Sequence, residues 1–261
     1  MKKLIQTITT AFAILIGNVV LSQVDSVYFV KGDSILSVYA TTDVDSVIFY
    51  RPDGPSETSS VKYGEGATDI DGNAYQSVII GTQEWMSENL RTTKYSDGNA
   101  IPNVTGTSEW KNLSTGAWCN YHNSSTNDAT YGKLYNWYAV ETGKLCPTGW
   151  HVPTDAEWTD LTNYLTANGH PGEVLKSTSG WNDYNGQSGN GTDIYGWNGL
   201  PGGSRFNHGI FFDNGDFGYW FSSTDFNTQY AWFHLLEYSY NDIYSDYWNK
   251  NYGFSVRCLR D

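Results

Sequence analysis

Cys146-Pro147-Thr148-Gly149-Trp150-His151-Val152-Pro153-Thr154-Asp155-Ala156-Glu157-Trp158 reads as a turn that delivers the chain into a well-capped helix. Thr154 is placed to act as N-cap, and Glu157, three residues on, completes a capping box. Pro153 keeps the approach extended, because its ring cannot continue a helix backwards. Trp158, Leu161 and Leu165 then recur at i, i+3 and i+7, the spacing of one apolar helical face. Gly169 and Pro171 stop the helix after roughly three to four turns. One helix this strongly signalled, in a chain otherwise full of Tyr, Trp, Gly and Asn, is expected to be the packing axis of an α+β domain.

The 261 residues suffice for one good-sized domain and a small companion. Twenty Tyr and 11 Trp, set against a charged fraction of only 16%, suit extracellular β and loop structure better than a helical bundle. A formal net charge of -13, with no basic stripe anywhere, argues against nucleic acid and against anionic membrane surfaces. Acidity of this kind by itself keeps an exported protein soluble.

Met1-Lys2-Lys3 followed by the apolar run Leu4 to Leu21 reads as a signal peptide over residues 1–22, with Gln23 as the mature start. Gln6, three Thr and Asn18 interrupt the run and no basic stop-transfer cluster follows it, so no stable membrane span is expected in the mature chain. No Cys ends the apolar region, which leaves a lipoprotein anchor unsupported. The expected location is secreted, periplasmic or on the outer cell surface.

Export permits disulfides. Three cysteines are present, Cys119, Cys146 and Cys258, so one thiol is left free or intermolecular, and connectivity does not follow from sequence. The pairing we expect is Cys146–Cys258, tying the C-terminus to the start of the helix and closing a long loop, worth about 2–4 kcal/mol. No Cys or His spacing suggests zinc.

Residues 23–52 read as a separate small β unit. Val24–Val30 and Ser37–Ala40 flank the turn-like Lys31-Gly32-Asp33 as a hairpin, and Asp45–Tyr50 adds a third strand. Residues 53–65, rich in Pro, Gly and Ser, form a linker, and the main domain spans 66–261. Within it, Val78–Met86 reads as strand, turn, strand. Leu134, Trp137, Tyr138 and Glu141 fall at helical spacing, so a second helix over Tyr131–Val140, ended by Gly143, is expected. Residues 172–228 read as largely loop, before strands at Gly218–Ser223, Tyr230–Leu236 and Gly253–Arg260. The elements do not alternate as βαβ, which excludes an α/β fold.

Five blocks together resemble the Fibrobacter succinogenes major paralogous domain: Ile80–Leu90, Leu134–Val140, Cys146–Trp158, Leu200-Pro201-Gly202-Gly203 and Gly253–Cys258. They occur in that family's order and cover roughly residues 66–261. The family carries no established activity. Its Pro-Thr-Asp-Ala-Glu-Trp helix and closing Val-Arg-Cys strand are similar to those of the formylglycine-generating-enzyme group, within the broad C-type-lectin-like fold. That resemblance implies a twisted antiparallel sheet, two helices and a long loop region bearing ligand sites, with a binding face in about 175–217.

The redox chemistry of that relative needs a reactive cysteine pair, which three cysteines with two structural members do not supply. Glycoside hydrolysis needs two carboxylates at a defined separation. Asp183, Asp193, Asp213, Asp216 and Asp225 are available, but loop acids are commonplace in a chain with 28 acidic residues. Asp213, Asn214 and Asp216 around Gly215 supply closely spaced oxygens of the kind Ca2+ favours. The same tetrapeptide is a good β-turn, and the turn is the preferred reading. His151 and His234 lie in apolar surroundings and are expected as core or rim residues rather than metal ligands. Aromatic rings beside Asn and Asp stack on sugars, which makes Trp181, Tyr184, Tyr195, Trp197 and Phe211 the candidate ligand-binding residues. The expectation is a non-catalytic recognition module for a glycan or an extracellular protein; a carbohydrate-active hydrolase or redox enzyme is the alternative.

Overall fold

The computed structural model describes residues 26–31, 34–40, 61–170 and 172–261. The chain divides into two units, Met1–Glu57 and Thr58–Asp261. In the first, β1 (Ser26–Lys31) and β2 (Ser34–Ala40) pair antiparallel, with a register shift between Phe29 and Val30. This is the expected hairpin. The third strand expected at Asp45–Tyr50 lies outside the described residues.

The second unit is α+β. It begins with two short hairpins, β3 (Ala67–Thr68) with β4 (Ala74–Tyr75) and β5 (Ser77–Ile80) with β6 (Gln83–Met86). A one-turn helix α1 (Thr107–Lys111) leads to β7 (Trp118–Cys119). After α2 (Asp128–Tyr131) come β8 (Leu134–Asn136), α3 (Trp137–Val140) and β9 (Trp150–His151). The long helix α4 (Asp155–Ala167) follows. The remaining strands are β10 (Gly202–Arg205), β11 (Phe211–Asn214), β12 (Phe217–Asp225), β13 (Tyr230–Glu237), β14 (Tyr244–Asn249), β15 (Gly253–Phe254) and β16 (Leu259–Arg260).

Helix α4 is built as its sequence dictates. Thr154 accepts a hydrogen bond from the Glu157 N–H, and the Glu157 carboxylate accepts one from the Thr154 N–H at 2.8 Å. At the other end Gly169 takes φ 71°, His170 N–H donates to the Leu165 carbonyl and Gly169 N–H to that of Thr166. These are the two bonds of a Schellman stop. Trp158, Leu161 and Leu165 are fully buried against Val78, Ile80, Trp85, Trp197 and Trp220. Each such side chain contributes about 1.5–3 kcal/mol of burial.

The main sheet has eight strands in the order β14-β13-β12-β10-β15-β8-β7, with β11 also on β10. Its pairs are antiparallel except β10–β12, a parallel bridge at Gly203 and Gly218. A second sheet runs β5-β6-β16-β9. The strand expected over Gly253–Arg260 is therefore divided between two sheets, β15 in the first and β16 in the second. In the crossing segment the Val256 and Cys258 carbonyls accept from the N–H groups of Leu90 and Met86. Cys258 is bonded there to Cys146, as expected, across 112 residues. Cys119 is free and buried.

The second helix expected over Tyr131–Val140 is broken in two. Gly132 adopts φ 71°, and a Cβ on it would lie 2.8 Å from that of Asn89, so the backbone there is held by its neighbours rather than by helical period. Residues 134–136 pair with β7 and β15, and Asn136 then caps a fresh helix by accepting from the Ala139 N–H. Trp137 is buried in the core and donates its Nε1–H to the Ser222 carbonyl.

Candidate binding face

The segment expected to carry ligands, about 175–217, is less loop-like than its composition suggests, because β10 and β11 lie within it. Its irregular part, residues 176–201, is tied down by two buried cations, Lys176 and Arg257, while a third, Arg205, anchors the strand that follows. Polar backbone taken out of water must find partners, and regular structure is not available there to supply them. Lys176, almost wholly buried, donates from Nζ to the Glu237 and Tyr240 carbonyls at 3.1 Å and lies over the Trp181 ring. Burial lowers its pKa. Arg205 donates to the carbonyls of Gly209, Val104 and Thr105, between the rings of Trp110 and Phe211. Arg257 donates to the carbonyls of Trp197 and Asn198 and to Asn89 Oδ1. Burial lowers Arg257 to about 9, against the opposing charge of Asp193. Asp193 is itself raised to about 6 by burial, although the Asn198 N–H bond and Arg257 pull it down.

The five candidate ligand-binding rings fall into different surroundings. Trp197 has no exposed surface and sits among Trp85, Trp158, Trp220 and Arg257. Trp181 is 4% exposed, its Nε1–H donating to Ser177 Oγ and the Gly199 carbonyl. Neither offers a face to a sugar: both are packing residues, placed inside because each fills the space beneath a loop and its ring covers a cation. Tyr195 is half-buried edge-on to Tyr164 and His170. Phe211 is half-buried against Tyr121, His122 and Arg205. Tyr184, 46% exposed, meets Tyr238 edge-on, and close by Asn182 donates to Asp216 Oδ1 from the neighbouring turn.

Asp213-Asn214-Gly215-Asp216 forms the turn between β11 and β12, closed by the Asp216 N–H on the Asp213 carbonyl, with Gly215 at φ 89°. Its oxygens and amide point to separate partners: Tyr219 OH donates to Asp213 Oδ2, Asn182 to Asp216, and Asn214 to the Pro201 carbonyl. Burial raises the Asp213 pKa, which disfavours the charged form a cation needs. Among the described residues no group of three or more His, Cys, Asp or Glu side chains is arranged to hold a metal.

His234 is stacked on Trp158 at 4.6 Å and hydrogen-bonded to Asp155, and His151 bridges Glu157 and Asp261 at the rim. His234 is thus in the core, whereas His151 lies at the rim between two carboxylates rather than in the apolar surroundings expected. Burial pushes the Cys119 thiol up to about 12, against the pull of Arg205, so it is an inert neutral group.

Exposed rings that the sequence reading did not single out include Tyr63, Tyr164 and Phe212, and a group of five, Phe226, Tyr230, Tyr240, Tyr244 and Tyr247, on or beside β12–β14. For Tyr230 the sequence signal is the alternation along 230–237, which marks a strand without saying which rings stay uncovered.

Residues 78–260 match the Fibrobacter succinogenes major domain. The chain belongs to this family. No curated protein and no solved structure matches it. Two of the blocks that carry the resemblance to the Fibrobacter succinogenes major domain hold the α4 capping box, the two bonded cysteines and the start of the 253–260 segment that stitches two sheets. Among the described residues no helix is long and apolar enough to cross a membrane.

Proposed function

We propose that this Fibrobacter succinogenes major domain protein is an exported, non-catalytic recognition module, acting in the secreted, periplasmic or outer-surface compartment and binding a glycan or a surface partner. The observation that carries the reading is the rigid display of the irregular segment. Arg257 holds its Trp197 and Asn198 carbonyls, Lys176 ties it to the Glu237 and Tyr240 carbonyls, and Tyr184 stands out of it, edge-on to Tyr238, beside the amide and carboxylate of Asn182 and Asp216. Aromatic faces next to fixed hydrogen-bonding groups are what a sugar ring requires. The C-type-lectin-like resemblance, with its ligand-bearing loops, is part of the same proposal, as is export through the N-terminal signal pattern.

The redox alternative asks for a reactive thiol pair. Cys146 and Cys258 are bonded to each other and Cys119 is buried with a raised pKa, so nothing favours it.

The test is a glycan array with polysaccharide pull-down on the purified chain, run with calcium and with chelator. Binding that is weakened by Tyr184→Ala or Asn182→Ala supports recognition through the loop face. Silence on every glycan in both conditions overturns the carbohydrate reading and leaves a protein partner.

A further inference from the structure

The outer end of the β12–β14 hairpins carries a cluster of rings that packing alone does not explain. Register sets Trp232 opposite Tyr247 and Tyr230 opposite Asn249. Side chains two residues apart share a sheet face, so Tyr230, Trp232 and Tyr247 stand on the same side as His234. Helix α4 covers that face only as far as His234, whose Nε2 meets Asp155, the first residue of the helix. Beyond this point Tyr230 and Tyr247 are exposed. Phe226, from the β12–β13 turn, lies flat on Tyr247 at 3.7 Å and 7°. Trp232 meets Phe226 and Tyr247 edge-on at 5.6 and 5.3 Å, and Tyr230 meets Tyr247 edge-on.

Three of these rings are solvent-facing, at 44% for Phe226, 36% for Tyr230 and 39% for Tyr247. They sit at the margin of the main sheet, beside β14, which among the described residues pairs only with β13. Exposed rings on an edge strand invite association, and such edges usually carry Lys, Pro or a bulge instead. Here the rings are retained and organised among themselves.

The geometry points to a second binding site, a platform made by Phe226, Tyr230, Trp232 and Tyr247 that takes a neutral glycan chain. The surface is a sheet face rather than a groove, and it is aromatic rather than aliphatic. That fits the flat C–H face of a pyranose better than an apolar helix, which needs a groove. The Tyr230 and Tyr247 hydroxyls and the amides of exposed Asn227 and Gln229 are placed around it to bond sugar hydroxyls. The charges beside it are the exposed Asp246 carboxylate, which accepts from the Tyr247 N–H at 2.8 Å, and Asp225, whose carboxylate lies 3.9 Å from the Lys250 ammonium. The platform thus has an acidic margin within a chain of formal charge -13, which disfavours an anionic polymer.

This site rests on the recognition-module reading and adds a location to it that differs from the Tyr184 face. The experiment is affinity electrophoresis of the full chain in gels holding a neutral soluble polysaccharide, either mixed-linkage glucan, xyloglucan or galactomannan. Polygalacturonate serves as the anionic arm. Expected is retardation by a neutral polymer that persists in chelator and in about 0.5 M NaCl. Phe226→Ala and Tyr247→Ala each weaken it about tenfold or more, while Tyr184→Ala leaves it near wild type. Tyr247→Phe, which keeps the ring and loses only the hydroxyl, weakens it less than Tyr247→Ala and separates lost stacking from misfolding. Loss in Tyr184→Ala with Tyr247→Ala unaffected overturns the platform and keeps the module. Retardation by polygalacturonate alone, or a dimer in sedimentation that Tyr247→Ala dissolves without any glycan binding, overturns the neutral-glycan assignment. Wild-type silence on all polymers overturns it together with the carbohydrate reading on which it rests.

Discussion

The Arg257 guanidinium carbon lies 3.9 Å from the centre of the Trp197 ring, and the same group donates to the Trp197 backbone carbonyl. A charged side chain thus sits in the middle of the tryptophan cluster with no carboxylate bonded to it. Its donors are met by Asn89 Oδ1 and two loop carbonyls, and Asn89 also accepts from Trp220 Nε1 while donating to the Tyr131 carbonyl. One cation and one amide therefore join the loop, the C-terminal crossing segment, β12 and α2.

Removing that cation leaves buried acceptors without donors. Arg257→Met is expected to cost about 3 kcal/mol or more, since each orphaned buried group costs about 1–3 kcal/mol. Arg257→Lys recovers only part, because an ammonium lacks the planar fork that reaches Asn89 and both carbonyls together. Urea unfolding of the three proteins measures this, and a loss below about 1 kcal/mol for Arg257→Met would show the network to be dispensable.

The disulfide and the lone thiol give a separable pair of outcomes. Cys146→Ser/Cys258→Ser is expected to lose about 2–4 kcal/mol, as closure of a long loop implies. Thiol titration of the native protein near pH 8 should find no reactive group, and denaturation should release one, because the Cys119 thiol is buried and raised to about 12. Prompt native labelling would contradict its burial.

Two histidines set opposite pH dependences. Burial lowers His234 to about 3, and the Asp155 carboxylate 3.0 Å away, itself raised by burial, does not offset that. The unfolded chain therefore binds this proton first as pH falls. Stability is lost from about pH 6.5 downward, on the order of 3–5 kcal/mol by pH 3. His234→Gln should flatten that part of the profile in thermal melts taken from pH 7 to pH 4; an unchanged slope would place the acid sensitivity elsewhere.

His151 behaves in the other direction. Burial opposes its charge, but hydrogen bonds to Asp261 and Glu157 prevail and raise its pKa. Its contribution is fully present below the unfolded value near 6.5 and fades as pH rises through the folded one. His151→Gln should lower the melting temperature at pH 6 more than at pH 9. Equal losses at both would mean that the imidazolium charge contributes nothing.

Gly132 is the point at which the chain departs from helical period. With φ 71° and Asn89 close behind it, Gly132→Ala is expected to destabilise by about 1–3 kcal/mol. Calorimetry decides; a neutral substitution would mean that the turn relaxes freely.

The sequence by itself determined the elements whose causes are local. Helix α4 was legible from end to end, because its cap, apolar face and stop lie within seventeen residues of Pro153 and each acts over one or two turns. The β5–β6 hairpin was legible for the same reason, and the Cys146–Cys258 pairing matched the pairing expected before any contact was known. Only the tertiary structure decided the rest. Gly202-Gly203-Ser204-Arg205 has no strand-like pattern, yet it is buried at all four positions and pairs with three other strands. It is a strand because its neighbours close around it. Likewise Leu134–Asn136 has helical spacing but lies between β7 and β15, whose partners come from distant parts of the chain. The candidate rings divide on the same principle. Trp197 and Tyr184 look alike in sequence, each set among Gly, Asn and Asp. Trp197 is buried because Arg257, sixty residues later, returns to cover it, while Tyr184 has only Tyr238 at its edge. Burial in a loop is a property of what folds over it, and local sequence holds no record of that.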